Sequence, residues 1–195
     1  MINLPTSHGY QQFSPNVLID AAVIAPLFLL LAIGHTVHLL RQRTSALRIL
    51  LIWLFYGYLF AVAALTLFPV FLYSPDNPIH RYGFGRQSAM ITLNPTDWLH
   101  YLPTQIVGNL LLLAPLTFIG GLLFPKLRRL APAIATAFLT ALGIESLQLV
   151  MNYFYLGNRA FDTGDLLLNT LGGALGFGIL VLTRKLYAHH RGLTN

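Results

Sequence analysis

Five stretches of the chain are almost free of charge, and between them polar residues come in short bursts. The apolar stretches cover about Val17–Leu40, Leu47–Val70, Thr104–Phe124, Ala131–Phe154 and Asp165–Thr183. Each approaches the roughly 20 residues a helix needs to cross about 30 Å of hydrocarbon. Apolar side chains occupy every face of these stretches rather than one stripe, which suits a helix in lipid and not an amphipathic helix on a soluble core. The pattern predicts an all-α polytopic membrane protein, a bundle of about five transmembrane helices. It forms a single domain over residues 1–195, with its core motifs between 105 and 183. Pro26 and Pro115 fall inside predicted helices and are expected to kink them.

Composition agrees. Of 195 residues, 55% are hydrophobic and 9% are charged, where soluble domains carry about 25% charge. The absence of cysteine removes disulfides, thiolate nucleophiles and zinc- or iron-thiolate sites. Residues 1–16 contain no Lys or Arg, so no cleavable signal peptide is expected.

Charge changes the picture through its placement. Nine of the 12 basic residues lie in three segments: Arg41, Arg43 and Arg48; Lys126, Arg128 and Arg129; and Arg184, Lys185 and Arg191. Only Arg81, Arg86 and Arg159 lie in the alternate connections. Positive loops stay cytoplasmic, so the N-terminus is expected outside and the C-terminus in the cytoplasm. The net charge of +6 is therefore a topology signal, and no nucleic-acid partner is expected. Asp76, Asp97, Asp162 and Asp165 fall outside, while Asp20 and Glu145 fall within spans near their outer ends. The one long connection, Phe71–Pro103, reads as a loop lying on the external membrane face.

Polar residues inside apolar spans are costly unless paired or wet, and mark functional candidates. Asn109 lies near the outer end of the third stretch. Glu145 and Gln148 share a face of the fourth at i, i+3, and Asp165 and Asn169 share a face of the fifth at i, i+4. Arg159 and Asp162 precede the fifth. Glu145 is roughly 14 residues from the cytoplasmic end of its stretch, or about 21 Å, which is outer-leaflet depth. These seven residues are expected to form one outward-facing cluster; on a structural reading Arg159 pairs with Glu145 or Asp162 and the amides bridge helices, and on the other reading the cluster binds a ligand or carries chemistry. Glu145, Asp162 and Asp165 are oxygen donors of the kind a divalent cation takes, but no motif spacing supports such a site and Arg159 opposes it. No metal and no cofactor are expected. Gly172, Gly173 and Gly176, with Gly178, make a small-residue face suited to close helix packing, within the chain or between copies of it.

From Gln105 onward the motifs resemble the VanZ-like family. The matching pieces are Gly108-Asn109-Leu110-Leu111, Ala114-Pro115-Leu116, Glu145-Ser146-Leu147-Gln148, Arg159-Ala160-Phe161-Asp162, and Asp165 followed by Asn169-Thr170-Leu171-Gly172-Gly173. Thr66-Leu67-Phe68-Pro69 is similar to the family's second-helix ending, and Thr117 stands where the family usually has Gly. The resemblance implies a multi-pass protein of the bacterial cytoplasmic membrane, linked to tolerance of glycopeptides or lipoglycopeptides such as teicoplanin. Its implied partners are membrane lipid and either a lipid-linked cell-wall precursor or the lipoglycopeptide itself. An alternative is a membrane-embedded enzyme acting on a lipid-linked envelope precursor, with Glu145 or Asp162 as general base and Arg159 holding a phosphate. No recognisable nucleophile completes such a set.

Overall fold

The structure, a computed structural model, describes residues 1–6, 9–87 and 90–193, with side chains described as far as His190. Five helices form the body: α1 (Ala25–Arg41), α2 (Ala46–Leu67), α3 (Pro103–Leu123), α4 (Leu130–Tyr153) and α5 (Thr163–Leu193). All five are long and apolar enough to cross a membrane. Their outer faces carry leucines such as Leu30, Leu47, Leu65, Leu111 and Leu139, exposed on the bundle surface. In lipid that surface is solvated, and helices are the form in which a segment satisfies its own backbone polar groups.

The boundaries differ from the sequence pattern at three ends, one of them the second stretch, where the helix stops at Leu67 and Val70 belongs to a strand. Val17–Ile19 is a strand, β3, and the candidate span begins later, at Ala21, through a 3-10 turn over Ala21–Ile24 that leads into α1. Asp20 is therefore not inside a span: it caps that turn, its Oδ1 accepting from the Ala22 N–H at 3.0 Å. Pro26 falls in the first turn of α1 rather than its middle. It opens the helix instead of kinking it, because a first-turn residue has no use for the missing N–H. At the other end, α5 continues ten residues past the apolar stretch. Pro115 does lie inside α3. One turn of backbone there loses a donor, and beside it the Tyr58 hydroxyl of α2 donates to the Leu112 carbonyl at 2.8 Å.

The bundle is helical but its cap is not, which corrects the all-α expectation. A hairpin of β1 (Ile2–Thr6) and β2 (Gly9–Phe13) precedes β3, which pairs antiparallel with β4 (Val70–Leu72). The long connection also holds 3-10 turns at Pro78–Tyr82 and Asp97–His100, and a strand β5 (Ile91–Thr92). β5 pairs in parallel with β6 (Phe161–Asp162), in the loop before α5. The cap has its own core of Ile2, Leu4, Phe13, Phe71, Ile79 and Tyr155. Phe71–Pro103 is thus a folded lid over one end of the bundle. The basic segments 41–48 and 126–129 lie at the opposite end.

Inside the bundle α3 and α5 make the most extensive contact. A Cβ on Gly172 would collide with the Leu110 carbonyl of α3, and one on Gly176 with the Ala114 carbonyl. Gly173 faces Ala137 of α4 in the same way, whereas Gly178 faces open space. Three of the glycines are therefore used within the chain. Thr117 reaches through this contact: its hydroxyl donates to the Gly173 carbonyl at 2.6 Å, so a hydroxyl replaces the bare backbone contact that a glycine would make.

Small-to-large changes in packed cores cost about 1–3 kcal/mol. Gly172→Ala and Gly176→Ala should each lower the thermal midpoint of the detergent-purified protein, while Gly178→Ala leaves it unchanged. Equal midpoints for all three would mean that α5 does not meet α3 backbone to backbone.

Candidate functional site

α4 carries a buried polar line toward the capped end: Glu145, Gln148 and Asn152, at i, i+3 and i+7. Each of the first two is spent on backbone. Gln148 Nε2 donates to the Thr66 carbonyl at 2.9 Å. Thr66 lies in the last turn of α2, where carbonyls have no partner within their own helix, so a neighbouring helix supplies the cap. Glu145, only 1% exposed, accepts at Oε2 from the Asp162 N–H at 2.8 Å.

Asp162 stands just before α5. Its Oδ1 accepts from the Gly164 N–H at 2.7 Å, as a helix N-cap does, and its Oδ2 accepts from the Tyr101 hydroxyl at 2.5 Å. Gly164 leaves the room: a Cβ there would lie 2.7 Å from the Tyr101 hydroxyl. Burial, then the Asp162 bond and neighbouring negative charge, push the Tyr101 phenol far above its ordinary pKa, so it remains a donor. The lid is bound to the same loop at its own backbone carbonyls, with the Phe161 N–H donating to the Met90 carbonyl at 2.9 Å and the Thr163 hydroxyl to the Thr92 carbonyl at 3.3 Å.

Asp165, in the first turn of α5, ties that helix to α3. Its Oδ1 accepts from Asn109 Nδ2 at 2.5 Å and from Gln105 Nε2 at 3.4 Å. A carboxylate also suits the positive end of the helix dipole. Asn169 is buried one turn further in, and its Oδ1 has no hydrogen-bond partner among the described residues.

The seven expected residues therefore gather at one end, but not in the expected pairing. Among the described residues no ion pair joins Arg159 to Glu145 or Asp162; its charge reaches Glu145 and Asp165 only through space. The reason is competition. Backbone N–H groups, a phenol and two amides already occupy the carboxylates, and Arg159 stands exposed at a separate cavity of about 130 Å³. Gln148 and Thr66 line that cavity, with Phe68, Phe71 and Met151 as its apolar wall. The three carboxylates do not line it. Among the described residues no three His, Asp or Glu side chains are placed to hold a metal ion.

Tyr101, Gln105, Thr66 and the buried Asn152 are participants that sequence reasoning missed. Gln105 had a legible signal, since it lies i−4 from Asn109 on one helix face. Tyr101 and the Thr66 carbonyl had none, because both act only across the fold.

Hydrogen bonds to charged groups contribute about 1.5–3 kcal/mol. Tyr101→Phe should accordingly destabilise the protein by that order in a reversible unfolding titration, while Tyr10→Phe, on the exposed hairpin, serves as a neutral control. If the two variants unfold alike, Tyr101 does not anchor the lid to Asp162.

A family model described as VanZ/LLP1 matches residues 54–184, which takes in all seven of these residues together with Thr66, Tyr101 and Gln105. No curated protein and no solved structure matches the chain. The match extends over more than half of the chain and over four of its five long apolar helices, and on that ground the chain belongs to the VanZ/LLP1 family.

Proposed function

We propose that this protein lies in the bacterial cytoplasmic membrane with its capped end outward and its C-terminus in the cytoplasm, and that it lowers sensitivity to glycopeptides or lipoglycopeptides such as teicoplanin. It does so as a binding factor rather than as an enzyme, through the polar cluster at its outer end. Its ligand is membrane-borne, a lipid or a lipid-linked cell-wall precursor. The orientation rests on the nine basic residues at the uncapped end and the rule that positive loops stay inside.

The observation that carries the binding reading is how the polar groups are used. Glu145 and Asp162 are the candidate general bases, and both are occupied, by loop and helix-end N–H groups and by the Tyr101 hydroxyl. A base must reach the proton it removes, and neither carboxylate lines the cavity. Arg159 is the group left over, charged, exposed and beside a recess.

The natural chain has no cysteine, so single substitutions report topology cleanly. Asp76→Cys should react with an impermeant maleimide on intact cells and Ser45→Cys should not; the reverse pattern would invert the protein and remove the outward site. In a sensitive host expressing the protein, Arg159→Ala should bring teicoplanin tolerance down to the empty-vector level at unchanged membrane abundance. Wild-type tolerance in that variant would refute a role for the Arg159 end.

A further inference from the structure

The cavity beside Arg159 has a size and chemistry that narrow its occupant. Its volume is about 130 Å³, whereas pockets that enclose drug-sized ligands run roughly 300–1,000 Å³. A lipoglycopeptide cannot enter it. A single small head can.

Its position is equally restrictive. Gln148 lies five residues before the end of α4, about 8 Å along the axis, so the recess opens at the boundary between apolar span and cap. One side is Arg159; the other is the wall of Leu67, Phe68, Pro69, Phe71 and Met151. An arginine fork matches the paired oxygens of an oxyanion. Low-dielectric walls strengthen that contact relative to water. The nearby carboxylates do not line the recess; their hydrogen bonds go to the loop backbone, Tyr101 and the α3 amides. At this level of a membrane the abundant small oxyanion is phosphate.

We propose that the recess formed by Arg159, Gln148 and the end of α2 binds one phosphate group, carried by a lipid or free in solution, and excludes the antibiotic itself. The inference rests on the outward orientation proposed above and names the ligand class of that site.

The test uses full-length protein in nanodiscs of phosphate-free glycolipid, titrated with dodecyl phosphate, inorganic phosphate or teicoplanin and read by thermal shift and calorimetry. Dodecyl phosphate should bind saturably. Arg159→Gln should weaken it by about tenfold or more, as the loss of a charge-assisted hydrogen bond implies. Gly157→Leu supplies an independent variant: Gly157 lines the recess, a Cβ there has only ordinary contact with Met151, at 3.6 Å, and a larger side chain at that position narrows the recess, with an unchanged thermal midpoint as the check on folding. It too should abolish binding, with charge untouched. Comparison with inorganic phosphate identifies the source: much weaker affinity for it assigns a lipid phosphate, and equal affinity assigns free phosphate, which keeps the phosphate site but removes the membrane-borne ligand proposed above. Unchanged dodecyl phosphate binding in both variants overturns the inference, as does teicoplanin binding that Gly157→Leu abolishes. Failure of this binding with teicoplanin tolerance intact sinks the phosphate site alone. Binding intact in a protein that confers no tolerance sinks the proposed function and leaves the site standing.

Discussion

α2 ends and α5 begins near the buried Thr66, Glu145 and Gln148, where the helix-end backbone groups need partners. An unpaired N–H or carbonyl in an apolar setting costs several kcal/mol. Here the partners are side chains of the intervening helix. Gln148 of α4 takes the Thr66 carbonyl, Glu145 of the same helix takes the Asp162 N–H, and Asp162 in turn takes the Gly164 N–H. One helix therefore seals the end of one neighbour and the approach to another. The lid depends on the same arrangement, because Tyr101 and β5 dock onto the loop that Glu145 holds.

That use of the carboxylates separates structure from function within one cluster. Buried ionic groups contribute little when their desolvation is merely offset, and their value here is positional. The cation is not part of this internal network. Arg159 sits beyond it, where it and Gln148 meet a recess with an apolar wall. A cluster that looks catalytic by composition is by geometry a frame, with one charge outside its hydrogen bonds.

The cap gives that charge a fixed setting. Phe84 stacks among Tyr153, Phe154 and Tyr155 at centroid distances of 6.3, 5.1 and 5.8 Å, and the Tyr155 hydroxyl donates to the Gly83 carbonyl at 2.5 Å. The Phe71 N–H bonds the Leu156 carbonyl at 2.9 Å. The chain on both sides of the recess is held by these contacts, so Arg159 projects from an ordered surface. α1, by contrast, packs mainly on α2 and leaves its other faces to lipid.

Much of this was legible in residue order. Hydrophobic run length alone sets the number of spans, because a bilayer demands about 20 apolar residues whatever the neighbours are. The polar residues stood out for the same reason, and their shared depth followed from rise per residue. Three things were not legible. Val17–Ile19 is as apolar as a span, and only pairing with Val70–Leu72 makes it a strand. The long connection carries no periodicity that foretells a lid, since its two-residue strand exists only against Phe161–Asp162. The partner of Arg159 was misjudged because charge predicts attraction, while a carboxylate in a dry helix end is claimed by the nearest backbone donor. Sequence determined which groups meet at one end of the membrane; tertiary structure decided which of them are bound to each other, because hydrogen bonds in apolar surroundings are allotted by distance and direction and not by sign of charge.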